Sequence, residues 1–129
     1  MMIYRACAAA VLILVCAACG SSAGQTASSV AGRFLAAAED ADAGAACELL
    51  APKTREELEF GEDGPCTATL ASLGLPGGTV DEVEVWGDRA RATGRTDTVF
   101  LVELGSGWRV AAAGCTPPED ETFDCLLGS

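Results

Sequence analysis

Hydrophobic positions along this chain change their spacing twice. Residues 6–18, "ACAAAVLILVCAA", form an unbroken run of 13 apolar or small residues. The stretch after Cys19, "GSSAGQTASS", is small and polar with nothing to bury, and predicts a flexible tether over residues 19–28. From Ser29 the period becomes helical: Val30, Phe34, Leu35 and Ala38 recur on one face, with Ser28 or Ser29 as the cap. "DADAGAACELL" predicts a break and a second helix capped by Asp42 and carrying Cys47, Leu49 and Leu50. Pro52 and the capping-box spacing of "TREE" (Thr54 to Glu57) predict a third, with Leu58 and Phe60 on its buried side. "CTATLASLGL" predicts a short fourth helix, stopped by "PGG".

After Thr79 the period becomes two. "TVDEVEVW", "RARATGRT", "TVFLVELG" and "GWRVAAAG" predict four strands joined by tight turns, an antiparallel meander. A two-residue loop at Gly87-Asp88 sets the first register: Trp86 opposite Arg89, Val85 opposite Ala90, Glu84 opposite Arg91. One face then joins Val83 and Val85 to Ala90 and Ala92 as core. The other carries stacking of Trp86 on Arg89 and a Glu84–Arg91 ion pair. Helices followed by a sheet make an α+β domain over residues 29–129. "FLAAAEDADAGAACELLAP" followed by a meander ending in "GWRVAAAG" resembles the NTF2-like (cystatin-like) α+β fold, above all the small extracytoplasmic domains of actinobacterial lipoproteins. That resemblance implies a curved sheet wrapped as a cone, with the helices packed on it.

The apolar run itself carries a second resemblance. Thirteen residues make about 20 Å of helix, short of a hydrocarbon core of about 30 Å but suited to a signal peptide. "MMIYR" precedes it with one positive charge, and Ala17 and Ala18 sit directly before Cys19. This is similar to a bacterial lipoprotein signal, residues 1–18. The resemblance implies that Cys19 receives a diacylglyceryl group, palmitate included, and becomes the mature N-terminus. Two or more acyl chains give stable anchoring where one does not. Cleavage after Ala18 without lipid, or retention of the run as an anchor, are the alternatives. The expected location is the extracytoplasmic face of the cell membrane.

That location changes the reading of the cysteines. Seven are present; Cys7 and Cys16 go with the leader and Cys19 is the attachment atom. Cys47, Cys66, Cys115 and Cys125 remain, an even number in a compartment where disulfides persist. Of the three possible pairings we expect Cys47–Cys66 and Cys115–Cys125, tying the second helix to the fourth and the tail to the end of the sheet. Each loop contributes about 3 kcal/mol in the chain-entropy model. A zinc or redox role is the alternative, but no C-x-x-C spacing occurs and the chain has no histidine. No metal or cofactor is expected.

Charge narrows the partners. From Cys19 onward the chain carries 7 basic and 19 acidic side chains, net −12. Such a surface repels nucleic acid and anionic lipid headgroups, so neither is expected as a direct partner of the folded domain. Two acidic clusters, Glu56, Glu57, Glu59, Glu62, Asp63 and Glu119, Asp120, Glu121, Asp124, lack EF-hand spacing and read as solvated charge. Trp108 and Phe123 read as core, with the lining of a pocket as the alternative. Catalysis on NTF2-like cones usually draws on Asp, His and Tyr; here histidine is absent and Tyr4, the only tyrosine, lies in the leader. Asp81, on the side of Val83 and Val85, is the one candidate base and reads as a strand-end side chain reaching solvent. No catalytic residue is assigned. The expected function is a membrane-anchored binding or assembly module for an envelope or membrane protein. The alternatives are a ligand-binding or hydrolytic cone enzyme and a purely structural lipoprotein.

Overall fold

A computed structural model describes residues 21–61, 64–117 and 122–128. Cys19 and the leader lie outside the described residues, as do Glu62, Asp63, Glu119, Asp120 and Glu121. The first helix, α1, spans Ser21–Glu39, so most of the expected tether is helical and neither Ser28 nor Ser29 is its cap. The reason is tertiary. Ala27 is completely buried along with Ala31 and Phe34, so the helical face that meets the sheet begins a full turn ahead of Val30. Helices gain most of their stability from such packing rather than from propensity. Thr26 fits a helix by donating its hydroxyl to the Ser22 carbonyl at 2.6 Å.

Three short helices follow. In α2 (Ala43–Glu48) the Asp42 carboxylate accepts from the Ala45 N–H at 3.1 Å, the expected cap. α3 (Pro52–Glu59) starts one turn early, with Pro52 at its first position. Thr54 is therefore inside the helix, buried, and donates to the Ala111 carbonyl at 2.9 Å instead of capping. Leu58 is buried as expected. Phe60, just past the end of the helix, is 82% exposed. α4 (Cys66–Ser72) ends before Gly74.

The sheet has five strands in the order β1 (Val80–Trp86), β2 (Arg89–Gly94), β3 (Thr98–Leu104), β4 (Gly107–Thr116) and β5 (Asp124–Leu127), all antiparallel. The first hairpin has the expected register, Trp86↔Arg89, Val85↔Ala90 and Glu84↔Arg91. Gly87, at φ +61, supplies the left-handed first position of its loop. β5 is the one strand absent from the sequence expectation. It is only four residues long and holds its place through β4 and the Cys115–Cys125 bond rather than through alternation of its own. Leu50 adds a short parallel bridge at Val110, with the Ala51 N–H donating to Val110 O at 2.8 Å.

The expected α+β architecture is present, with helices packed on a meander. The sheet is not strongly curled, however, so the cone expected from the resemblance is corrected to a shallow two-layer form. Curling needs bulges or glycine kinks repeated across a sheet. Here the register slips at only two places, Val80/Glu82 and Phe100/Leu101. One face of the sheet is filled by the helices. Ala90, Ala92, Val99, Leu101, Trp108 and Val110 form a single cluster with Phe34 and Leu35 of α1. Trp108 is thus core, as expected. The C-terminal half of α1 is closed off by Gly77 (φ +70), where a Cβ would sit 2.5 Å from the Glu39 nitrogen, and by the Gly78 N–H donating to Leu35 O.

Both disulfides form as expected, Cys47–Cys66 between α2 and α4 and Cys115–Cys125 between β4 and β5. Among the described residues no helix is long and apolar enough to cross a membrane.

Phe34 is fully buried and Phe60 is not, so the two report the core directly. Phe34→Ala is expected to lower the unfolding free energy by about 3–5 kcal/mol. Phe60→Ala is expected to stay within about 0.5 kcal/mol of the parent. Urea denaturation of both variants measures the contrast.

Candidate functional site: the uncovered face of the sheet

β3 is apolar on both sides. Val99 and Leu101 face the helices, and Phe100, Val102 and Leu104 face the opposite way. A strand that reads as a continuous apolar run has two faces to satisfy. α1 covers only one. The second face carries a shallow hollow of about 320 Å³ lined by Trp86, Arg89, Phe100, Ala111, Ala112, Phe123 and Cys125, among others.

Its walls follow from local structure. Trp86 and Arg89 flank the first hairpin loop, and Trp86 is 51% exposed. Phe123 lies just ahead of β5 and is brought over the sheet by the disulfide that holds that strand. Its ring meets Phe100 edge-on, with centroids 5.0 Å apart, and the Arg91 guanidinium sits 5.8 Å from the Phe123 centroid. Phe123 therefore belongs to this outer face and not to the core between helices and sheet. The floor is shallow because alanines stand at Ala111 and Ala112. Phe100 pairs with Ala112 and Leu101 with Val110, which leaves Ala111 as the extra residue of a bulge.

A second hollow of about 490 Å³ continues the first, sharing Arg89 and Ala111 with it. Val102 and Leu104 line it on the sheet side, and Lys53, Thr54 and Glu57 at the start of α3 form its wall. The bond from Thr54 to the Ala111 carbonyl holds that wall in place. Together the hollows make a groove with an apolar floor, bordered by Lys53, Glu57 and Arg89, with Arg91 over the Phe123 ring beside it.

The charges are only partly as expected. Arg91 pairs with Glu84, as the register requires. Arg89 approaches Asp88 at 3.8 Å, and the cation–π contact is made by Arg91 on Phe123 where Arg89 on Trp86 was expected. These pairs are well exposed, so each is worth at most about 1 kcal/mol. Asp81 falls at the bulge of β1 and is exposed, the strand-end reading.

The buried carboxylate is a different one. Asp97, in the turn between β2 and β3, is only 6% exposed. Its oxygens accept from the N–H groups of Thr98 (2.7 Å), Gly114 (3.1 Å) and Cys115 (3.2 Å), and its carbonyl accepts from Gly94 (2.8 Å). Burial pushes its carboxyl up from the ordinary value, and the hydrogen bonds from Gly114, Thr98 and Cys115 pull it part of the way back. Nothing in the spacing of "GRTDT" distinguishes this aspartate from a solvated turn residue. Its partners come from β4, which only the folded sheet brings near. Asp97 does not line the groove, and its lone pairs are directed at backbone.

Of the residues singled out from sequence, Cys47, Cys66, Cys115 and Cys125 are brought together in pairs. The glutamates Glu56, Glu57 and Glu59 stand exposed on α3, and Asp124 is exposed on β5. Among the described residues no cluster of three His, Cys, Asp or Glu side chains has the arrangement to hold a metal ion. Compared with models of known families, with curated proteins and with solved structures, the chain matches none.

A raised carboxyl means that the folded state binds its proton more tightly than the unfolded chain does. The stability that Asp97 contributes is therefore complete below its ordinary value of 3.8 and is lost as pH rises through the folded value. Asp97→Asn cannot ionise and lacks this dependence. Urea unfolding of both proteins between pH ~4 and ~7 is expected to show the wild-type advantage shrinking as pH rises. An advantage that grows instead reverses the assignment.

Proposed function

We propose that this chain is a membrane-anchored extracytoplasmic lipoprotein whose domain is a binding or assembly module for an envelope or membrane protein. The observation that carries the reading is the groove on the uncovered face of the sheet. Phe100, Phe123 and Trp86 present aromatic surface there, with Lys53 and Arg89 along it and Arg91 over the Phe123 ring. Aromatic side chains and arginine are the groups that dominate protein interfaces, and an apolar patch left open on a small domain marks a contact surface. The two disulfides fit an oxidising compartment outside the cytoplasm, where a lipid on Cys19 would hold the domain.

The order of helices followed by a meander supports kinship with NTF2-like domains. The shallow sheet supports a surface-binding role over a deep cavity for a small ligand. An enzyme of that class would call for a free acid or base facing an enclosed site. The buried carboxylate found, Asp97, is engaged by three backbone N–H groups away from the groove.

Two measurements test the reading. Intact mass of the protein isolated from membranes without reductant is expected to show a chain that starts at Cys19, heavier by its lipid and lighter by four hydrogens. Cys19→Ala is expected to abolish that product. A photo-crosslinker at Val102, in the groove, is expected to give one discrete membrane-protein adduct in cells, and the same group at Phe60 none. An unlipidated chain sinks the anchor, and equal labelling from both positions sinks the groove as the contact surface.

A further inference from the structure

If Cys19 carries the lipid, as proposed above, the start of α1 leaves almost no slack. α1 is helical from Ser21, two residues beyond Cys19. Two residues span at most about 7 Å, close to the thickness of one headgroup layer, about 5–7 Å. The domain is therefore held against the bilayer, not suspended from it by a ten-residue tether.

The end of the domain that meets the lipid follows from the packing. α1 and β1 run antiparallel. Leu35, late in α1, bonds to Gly78 ahead of β1, and Gly24, Gln25, Ser28 and Ser29 border the same hollow as Val80–Val83. Three residues of strand beyond Val83 carry the chain about 10 Å further toward the start of α1, and they end at Trp86. The hairpin tip at Gly87-Asp88 thus lies at the end of the domain where α1 begins. The uncharged turn Gly105-Ser106 lies there too, since the Glu103 N–H donates to Asp88 O.

Charge is uneven along α1. From Ser21 to Ala38 the helix carries Arg33 and no acidic side chain, and its acidic residues, Glu39, Asp40 and Asp42, cluster at the opposite end. Asp81 and Glu82 of β1 border the same hollow as Gly24 and Gln25 of α1. At the tip, Asp88 and Arg89 offset each other at 3.8 Å. The first turns of α1 thus bring no acidic side chain of their own to the side from which the anchor emerges. On that side stands a half-exposed tryptophan, the side chain most favoured at the membrane–water interface.

We infer that the lipidated domain stands end-on on the bilayer, with Trp86 of the first hairpin seated in the headgroup layer and the groove opening sideways just above it. The partner of this end is the lipid surface itself. Seating depends on the short link after Cys19 and on Trp86, and it keeps the acidic far end in water.

The test uses the protein purified from membranes, its lipidation checked by intact mass, and reconstituted in phosphatidylcholine vesicles with or without a lipid brominated near the headgroup. The chain has two tryptophans, and Trp108 is buried. Wild-type emission is expected to shift to the blue on reconstitution and to lose intensity with the brominated lipid. Trp86→Phe, which keeps only Trp108, is expected to show neither change. Inserting a ten-residue Gly-Ser spacer between Gly20 and Ser21 is expected to reduce the quenching while leaving the anchor intact. A lipidated protein whose Trp86 emission is unquenched, or is quenched equally with the spacer, overturns the end-on seating and leaves the anchor standing. A chain without acyl groups in its mass overturns both.

Discussion

The structure depends on how closely α1 can approach the sheet. Phe34 and Leu35 are large and fully buried, and the β2 positions grouped with them, Ala90 and Ala92, are small, beside Val99, Leu101 and Trp108 of the next two strands. Large side chains on the helix set against small ones on the sheet fill the layer without voids, which close-packed interiors require. The same economy runs along α1, where Ala27 and Ala31, one turn apart and completely buried, let the helix lie close against the sheet. Once that contact is made, Gly77 has to lie where any side chain would strike the backbone of α1, and the loop into β1 has one available path.

What α1 cannot reach is held by covalent and polar links. α2 and α4 are short, with little apolar surface of their own, and Cys47–Cys66 joins them. β5 is shorter still. It is retained by Cys115–Cys125 while Asp97 gathers the neighbouring Gly114 and Cys115 amides from across the sheet. A domain of about 100 residues buries a modest core, and such links supply a large share of its small net stability. Their placement has a second effect. By drawing the segment ahead of β5 over β4, they set Phe123 against Phe100 and so build one wall of the outer groove.

The groove exists because α1 packs on the opposite face of the sheet. β3 has apolar residues on both faces, and the sheet does not curl to enclose the second. The bulge at Ala111 and the bond from Thr54 bring the start of α3 to the rim, so the open face becomes a channel with walls. It lies beside the hairpin tip that carries Trp86 and Arg89, so the groove and that tip are adjacent parts of one sheet.

Local patterns in the sequence determined the α+β class, the helix-to-meander order, the Asp42 cap and the register of the first hairpin. Each depends on residues within a few positions of one another. The pairing of the four domain cysteines was legible too, because the two bonds close short loops, with partners 19 and 10 residues apart. Tertiary structure decided the rest. The helix was carried back to Ser21 because the sheet buries Ala27, in a stretch whose serines and glycine favour no helix alone. Thr54 left the capping role because the Ala111 carbonyl was within reach. β5, the Asp97 junction and the seating of Phe123 on Phe100 all join residues more than fifteen positions apart or lean on a disulfide, and no spacing along the chain encodes them. The flatness of the sheet belongs to the same class, since curvature is set by how many strands carry bulges together and not by any one strand.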